Sequence, residues 1–243
     1  MKRRLGLTVV LIVALLLGSA HCPQPLIKRM TADLKVRKLS GGKKIEYNAH
    51  FCYSANGDLV AHYLPPLEYY ILSNARGQIK VYKPQTNTVY AVDDAYLGSS
   101  SSYFYCFVNY RTADLGLKDW GFTLRGSRIE DGHQISEWAP PAQASARIGK
   151  IELVHLNNRI IFASYFDAKM NLFKKTYYGP TERIKGIDFP TTLTEITYTA
   201  PNRQDSTVEK SNFSNFAVND QVQPELCRYQ IPKDAQASGK SPK

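Results

Sequence analysis

Between residues 151 and 179 the chain reads IELVHLNNRIIFASYFDAKMNLFKKTYYG, in which short β-branched and aromatic runs are broken by Asn157-Asn158 and by Asp167-Ala168-Lys169-Met170-Asn171. Both breaks consist of residues that favour hairpin turns, so three consecutive antiparallel strands are expected. A sheet that is wet on one side alternates apolar with polar residues. Here Ile161, Ala163 and Tyr165 fall on one face while Ile160, Phe162 and Phe166 fall on the other. Both faces are apolar, and something must cover the second: another layer of protein, a partner or a ligand.

The same pattern runs through the chain from Met30. MTADLKVRKLS, KKIEYNAHFCYS, DLVAHYL, LEYYILSN, QIKVYK and TVYAVD read as strands, joined by Gly41-Gly42, Asn56-Gly57, Pro65-Pro66, residues 74–77 and residues 84–87. Each junction has turn chemistry, and the strands are rich in Tyr, Val, Ile and Thr, which pack well on a pleated surface. One segment departs from period two. GSSSSYFYCFVNYRTADLG, residues 98–116, starts with serines able to cap a helix, ends in Gly116 and puts Tyr103, Phe107 and Tyr110 on one stripe with Phe104 beside them; a short aromatic helix is expected. DWGFTLRGSRI and HQISEW then flank a turn at Glu130-Asp131-Gly132, and APPAQASARIG reads as a loop. DFPTTLTEITYT and STVEKSNFSNFAV supply two more strands around a polar turn at 200–205.

Some eleven strands cannot remain a flat open sheet, because strand twist curls a long antiparallel sheet toward a barrel or splits it into a sandwich. The expected fold is therefore mainly β, an antiparallel half-barrel of about eleven strands with short helices plugging its concave side. A filled sandwich is the other solution that the pattern allows. If the sheet wraps a cavity, its candidate lining is Phe51, Tyr70, Phe104, Phe107, Phe162 and Phe166.

The N-terminus sets the compartment. Lys2, Arg3 and Arg4 precede an apolar run from Leu5 to Leu17 and the small residues Gly18, Ser19 and Ala20, the layout of a secretory signal cleaved after Ala20. A lipid anchor on Cys22 is the alternative, although His21 is not the small residue such processing prefers. The expected organisation is a signal peptide at 1–20, a short segment at 21–29, a single domain at 30–227 and a disordered tail at 228–243, with no interior linker and no repeat.

Charge and cysteines narrow the function. The formal net charge of +10 falls by three to +7 when the signal is removed, without a run of like charges, so nucleic acid is not the expected partner. Cys22, Cys52, Cys106 and Cys227 can form three complete disulfide pairings in an oxidising compartment. No two have metal-ligand spacing and the histidines are scattered; His50 and Cys52 share a strand face without making a site, so no metal and no cofactor are expected. Catalytic motifs are missing as well. There is no Gly-x-Ser-x-Gly, phosphate-cradling glycine loop or His-Glu-x-x-His, and the adjacent carboxylates Asp93-Asp94 and Glu130-Asp131 suit turns better than acid–base pairs.

The order of features resembles a known superfamily. An export signal is followed by LPPLEYYILSN, RGQIKVYKPQTNTVY, the aromatic helix, EWAPP, RIIFASYFDAKMNLFKKTYY and GIDFPTTLTEITY. This looks like the periplasmic lipoprotein-carrier superfamily, LolA-type proteins with the related LolB receptor and RseB-like sensors, over roughly residues 30–220. The matching positions are Pro66, Gly77, Val81-Tyr82-Lys83-Pro84 and Val89; the hairpin Asp167–Asn171 matches without the glycine the family has there. The resemblance implies a half-barrel whose open side is closed by helices around an acyl chain, in a non-enzymatic periplasmic carrier for lipoproteins or lipids. Envelope membrane proteins would be further partners, and a sensor or scaffold that binds a protein partner is the alternative. Two features depart from the pattern: HCPQPLIKRM replaces the amphipathic opening helix, and Arg37 has no surroundings that assign it the lid-latching role.

Overall fold

A computed structural model of the chain describes residues 27–93, 103–199 and 205–238. The expected signal peptide, Cys22 and the serine cap of the expected helix lie outside these residues. Six strands come first, β1 (Arg29–Ser40), β2 (Lys43–Ser54), β3 (Leu59–Tyr63), β4 (Tyr69–Ser73), β5 (Gln78–Lys83) and β6 (Thr88–Asp93), followed by helix α1 (Tyr103–Val108). A second set comprises β7 (Thr123–Glu130), β8 (His133–Ala139), β9 (Ile148–Leu156), β10 (Arg159–Asp167) and β11 (Leu172–Tyr178). β12 (Thr181–Ile184) and β13 (Ile187–Pro190) form a hairpin of their own. The chain ends with β14 (Thr192–Tyr198), β15 (Ser206–Val218), the single-turn helix α2 (Pro224–Cys227) and β16 (Gln236–Ala237).

Fourteen strands make one large open sheet in the order β16-β6-β5-β4-β3-β2-β1-β15-β14-β11-β10-β9-β8-β7. All its pairings are antiparallel except β16 with β6. This is the half-barrel architecture expected from the pattern, with more strands. The two meanders meet at β15, whose 13 residues pair with β1 on one side and β14 on the other. Tight hairpins follow from local chemistry: Gly41-Gly42 (φ 53 and 74) and Asn157-Asn158 (φ 51 and 61) place both central residues in the left-handed region, as a type I′ turn requires.

Four expectations need correction. Among the described residues the helix covers Tyr103–Val108 and leaves out Tyr110, because the chain turns afterwards through left-handed Tyr110, Leu115 and Gly116. Residues 188–199 are two strands, since Thr191 N bonds Pro180 O and Phe213 N bonds Thr191 O where the chain leaves the separate hairpin and joins the sheet. In β10 a register shift between Ile160 and Phe162 returns Ile160 to the face of Ala163 and Tyr165; a bulge reverses the alternation that simple counting gives. Finally, residues 228–238, expected as the start of a disordered tail, cross the outside of the sheet and lay β16 against β6. The bonds from Gln236 N to Asn87 O (2.9 Å) and from Ser238 N to Val89 O (2.8 Å) satisfy backbone groups on that edge.

Candidate functional site

The face of the sheet that carries α1, here called inner, holds the core. In β1, β2 and β15 it is lined by Ala32, Leu34, Phe51, Tyr53 and Phe213, and in β9 and β10 by Ile151, Leu153 and Ala163. α1 lies on it with Phe104, Cys106, Phe107 and Val108 all buried. Phe104 meets Phe51 edge-on at 4.3 Å between ring centroids and Phe213 at 5.2 Å, a favoured aromatic geometry. The β12–β13 hairpin completes this plug: Phe189 is fully buried, 5.7 Å from Phe107, and Tyr103 Oη donates to Pro190 O at 2.9 Å. Polar anchors come from residues just after α1, with Asn109 Nδ2 donating to Tyr53 Oη (3.4 Å) and His155 Nε2 to Thr112 O (2.9 Å). Burial pushes the Tyr103, Tyr53 and Tyr178 hydroxyls above the usual phenol range and the Cys106 thiol up to about 12. A cleft of about 150 Å³ remains beside the plug, lined in part by Phe107, Tyr110, Arg159, Ile160 and Ile187.

Farther along the same face the lining becomes polar. In β15, Glu209, Ser211 and Phe213 alternate on the inner side, so about 13 Å of strand separates the aromatic plug from a charged row. Register places Lys38 opposite Glu209, Glu209 opposite Glu195, and Glu195 opposite Thr176. Lys38 Nζ lies 3.5 Å from Glu209, Lys174 pairs closely with Glu195, and Thr176 Oγ1 donates to Glu195 at 3.2 Å. Burial disfavours the Lys174 ammonium, but Glu195 more than offsets it and the lysine pKa is raised. Tyrosines flank the row. Tyr47, Tyr63 and Tyr69 form a cluster with centroid distances of 5.6 and 4.4 Å, and Tyr165 lies under the Lys174 ammonium at 5.5 Å.

Of the six residues expected to line a cavity, Phe51, Phe104 and Phe107 are brought together on the inner face. The other three lie on the outer face. Tyr70 is stacked between His62 (4.2 Å) and Tyr229 (3.9 Å), Phe162 packs on Tyr177 at 4.9 Å, and the Lys150 ammonium lies 4.8 Å over Phe166. The register of β10 with β11 and β9 fixes this, since Phe162 pairs with exposed Tyr177 and Phe166 with Lys150.

The C-terminal segment covers part of the outer face, with α2 on β2 and β3 and Tyr229 on Tyr70 and Tyr82. Cys52 and Cys227 form a disulfide that spans 175 residues of sequence and holds α2 on β2, while Cys106 is free and buried. Between α2 and the sheet runs a groove of about 440 Å³ containing Asp33, His50, His62, Gln223 and Glu225. His50 Nδ1 donates to Asp33 at 2.5 Å, and Asn215 Nδ2 donates to the other Asp33 oxygen at 2.7 Å. Among the described residues no three His, Cys, Asp or Glu side chains are grouped to hold a metal ion.

This half-barrel has solved counterparts. A DUF1329 family protein from Desulfovibrio piger superposes with a TM-score of 0.59 at 16% identity, covering 82% of this chain and 89% of that one. A LolA superfamily protein from Nitrosomonas europaea gives 0.57 at 14% identity, over 80% and 88%. The fold is LolA-like. A putative outer membrane lipoprotein-sorting protein domain from Vibrio parahaemolyticus gives 0.59 at 12% identity, over 80% and 87%. No protein-family model matches the sequence, and no curated protein does.

Sequence reasoning missed two parts of this site. The β12–β13 hairpin had a visible signal in Lys185-Gly186, whose φ values of 47 and 83 make the tight turn. The charged row had none within any single strand, because it exists only across β1, β15, β14 and β11.

Proposed function

We propose that this chain is an extracytoplasmic, non-enzymatic binding or carrier protein for lipoproteins or other ligands with an apolar acyl chain. One observation carries this reading. The apolar inner face of an open sheet is filled by a six-residue helix and a four-residue-per-strand hairpin that is not part of that sheet, and α1 meets the strands through aromatic rings. Such a filling can be displaced without breaking the main ladder, and an acyl chain offers the exposed face equivalent apolar contact. At about 0.8 kcal/mol per buried methylene, a chain of roughly fifteen carbons contributes on the order of 12 kcal/mol gross. Ordering and association costs, with displacement of the plug, reduce this to reversible binding.

The binding surface in this proposal is the sheet side of the plug, Phe51 and Phe213, which Phe104, Phe107 and Phe189 cover when no ligand is bound. The LolA superfamily and lipoprotein-sorting counterparts support the same direction, and a disulfide between Cys52 and Cys227 suits an oxidising compartment such as the periplasm. Uptake of a fluorescent fatty acid by the protein lacking residues 1–20 tests the proposal. Saturable emission enhancement that is lost in Phe213→Asp, with the far-ultraviolet spectrum of the sheet retained, supports it; absence of uptake by the folded parent protein refutes it.

A second reading rests on a separate feature. β7 is an edge strand exposed along all eight residues, with Ile129 78% and Leu124 52% accessible. An envelope scaffold would add a partner's strand there. Loss of partner capture on Ser127→Pro, with fatty-acid uptake unaffected, separates this role from the carrier role.

A further inference from the structure

The inner face is graded, and its polar end has an arrangement that ordinary surface ion pairing does not require. Glu195 and Glu209 are direct cross-strand partners, a like-charge pairing that is unfavourable in a sheet. Each carboxylate has one lysine on its far side: Lys174 beside Glu195 and Lys38 beside Glu209. Across the four strands the register row reads Lys38, Glu209, Glu195 and Thr176, with Lys174 two residues from Thr176 on β11 and reaching Glu195 from the diagonal. Among the described residues no lysine or arginine is paired with both carboxylates. The row is neither open surface nor sealed core, since the four side chains are 28 to 39% accessible. Tyrosine rings stand at both ends, Tyr47, Tyr63 and Tyr69 beyond Lys38 and Tyr165 beneath Lys174.

We propose that this row is a headgroup site for a zwitterionic amphiphile, with a ligand ammonium between Glu195 and Glu209 and a ligand phosphate on Lys38 or Lys174. The proposal rests on the carrier reading above and narrows it from acyl chains in general to lipids that carry an amine and a phosphate. The chemistry follows from the row. An ammonium placed between opposed carboxylates relieves their repulsion and makes charge-assisted hydrogen bonds to both, and nearby tyrosine faces favour the same cation. A phosphate needs a lysine within reach, and each end of the row supplies one. The geometry also fits in length. The separation of about 13 Å between Glu209 and Phe213 along β15 is comparable with a headgroup and glycerol unit, which leaves the acyl chain at the aromatic plug.

The test compares three ligands of equal chain length by displacement of a fluorescent fatty acid: lysophosphatidylethanolamine, lysophosphatidylglycerol and the free fatty acid. Lysophosphatidylglycerol keeps the phosphate and lacks the amine. The expected result is binding of the ethanolamine lipid about tenfold tighter than the glycerol lipid, the size of one charge-assisted contact at a half-exposed site. Glu195→Gln combined with Glu209→Gln should abolish that difference while fatty-acid affinity stays within about twofold. Equal affinity of the parent protein for the two lysolipids, with fatty acid still bound, overturns the headgroup site and leaves the carrier reading intact. Failure to bind any of the three overturns both. Because the comparison of ligands is made on the unaltered protein, it decides the matter even if the glutamine variant does not fold.

Discussion

Truncating Phe104 separates a permanent core from a displaceable plug. Phe104 is 5% exposed and touches Phe51 at 4.3 Å, Phe213 at 5.2 Å and its neighbour Tyr103 at 4.2 Å. Phe104→Ala removes the transfer energy of the ring and leaves a cavity, a loss of about 3–5 kcal/mol. For a domain of this size that lowers the melting temperature by roughly 10 °C. The same substitution acts in the opposite direction on a ligand. If a guest enters only when α1 leaves the inner face, its apparent affinity is reduced by the work of opening, and weakening the plug returns part of that work. Taking half of the lost packing, about 2 kcal/mol, as the part made against Phe51 and Phe213 gives roughly thirtyfold tighter uptake. Thermal unfolding and fluorescent fatty-acid titration on the same sample measure both effects. A lower melting temperature with unchanged or weaker uptake would refute displacement of the plug.

The disulfide, the outer face and the buried tyrosines each make a further prediction. Cys227→Ser should lower stability by about 2–5 kcal/mol in urea melts, as expected for removal of a native bridge that closes a long loop, and added reductant should then have no further effect. Phe162→Ala and Phe166→Ala, on the outer face, should leave fatty-acid uptake within about twofold, and a loss comparable with that of Phe213→Asp would put the ligand on the wrong side of the sheet in this account. Alkaline stability should reflect Tyr53, Tyr103 and Tyr178, whose folded pKa values are raised by burial. Their neutral forms support the fold fully below the ordinary phenol pKa near 10, and this support is lost as pH rises above it. The part of the tyrosinate absorbance that belongs to these three should therefore appear only with loss of the folded circular dichroism signal; ionisation of all the tyrosines in a protein that stays folded would contradict this.

Much of the sheet was legible because turn chemistry and period-two alternation are local. Gly41-Gly42, Asn157-Asn158 and Asp131-Gly132 mark hairpins that the structure contains. Faces were legible only where the ladder is regular. Phe51 falls where alternation puts it, whereas the bulge at Ile160/Phe162 changes sides in a way no residue count reveals. Tyr70 was misplaced for another reason. An aromatic residue on a strand reads as core, but here its cover is Tyr229, which arrives from the far end of the sequence on a segment pinned by Cys227. That pinning also explains why polar residues 228–238 follow the sheet: the disulfide and the β16–β6 bonds do what hydrophobic burial does elsewhere. The charged inner row depends on register across four strands and was illegible for the same reason.

The central claim is that the inner face holds an acyl chain in the cell. Native mass spectrometry of the protein purified from its own envelope after gentle extraction tests this most directly. The account predicts a copurifying adduct with the mass of a lipid or lipopeptide, lost in Phe213→Asp. A bare polypeptide mass, from protein that also fails to take up fatty acid, would contradict it.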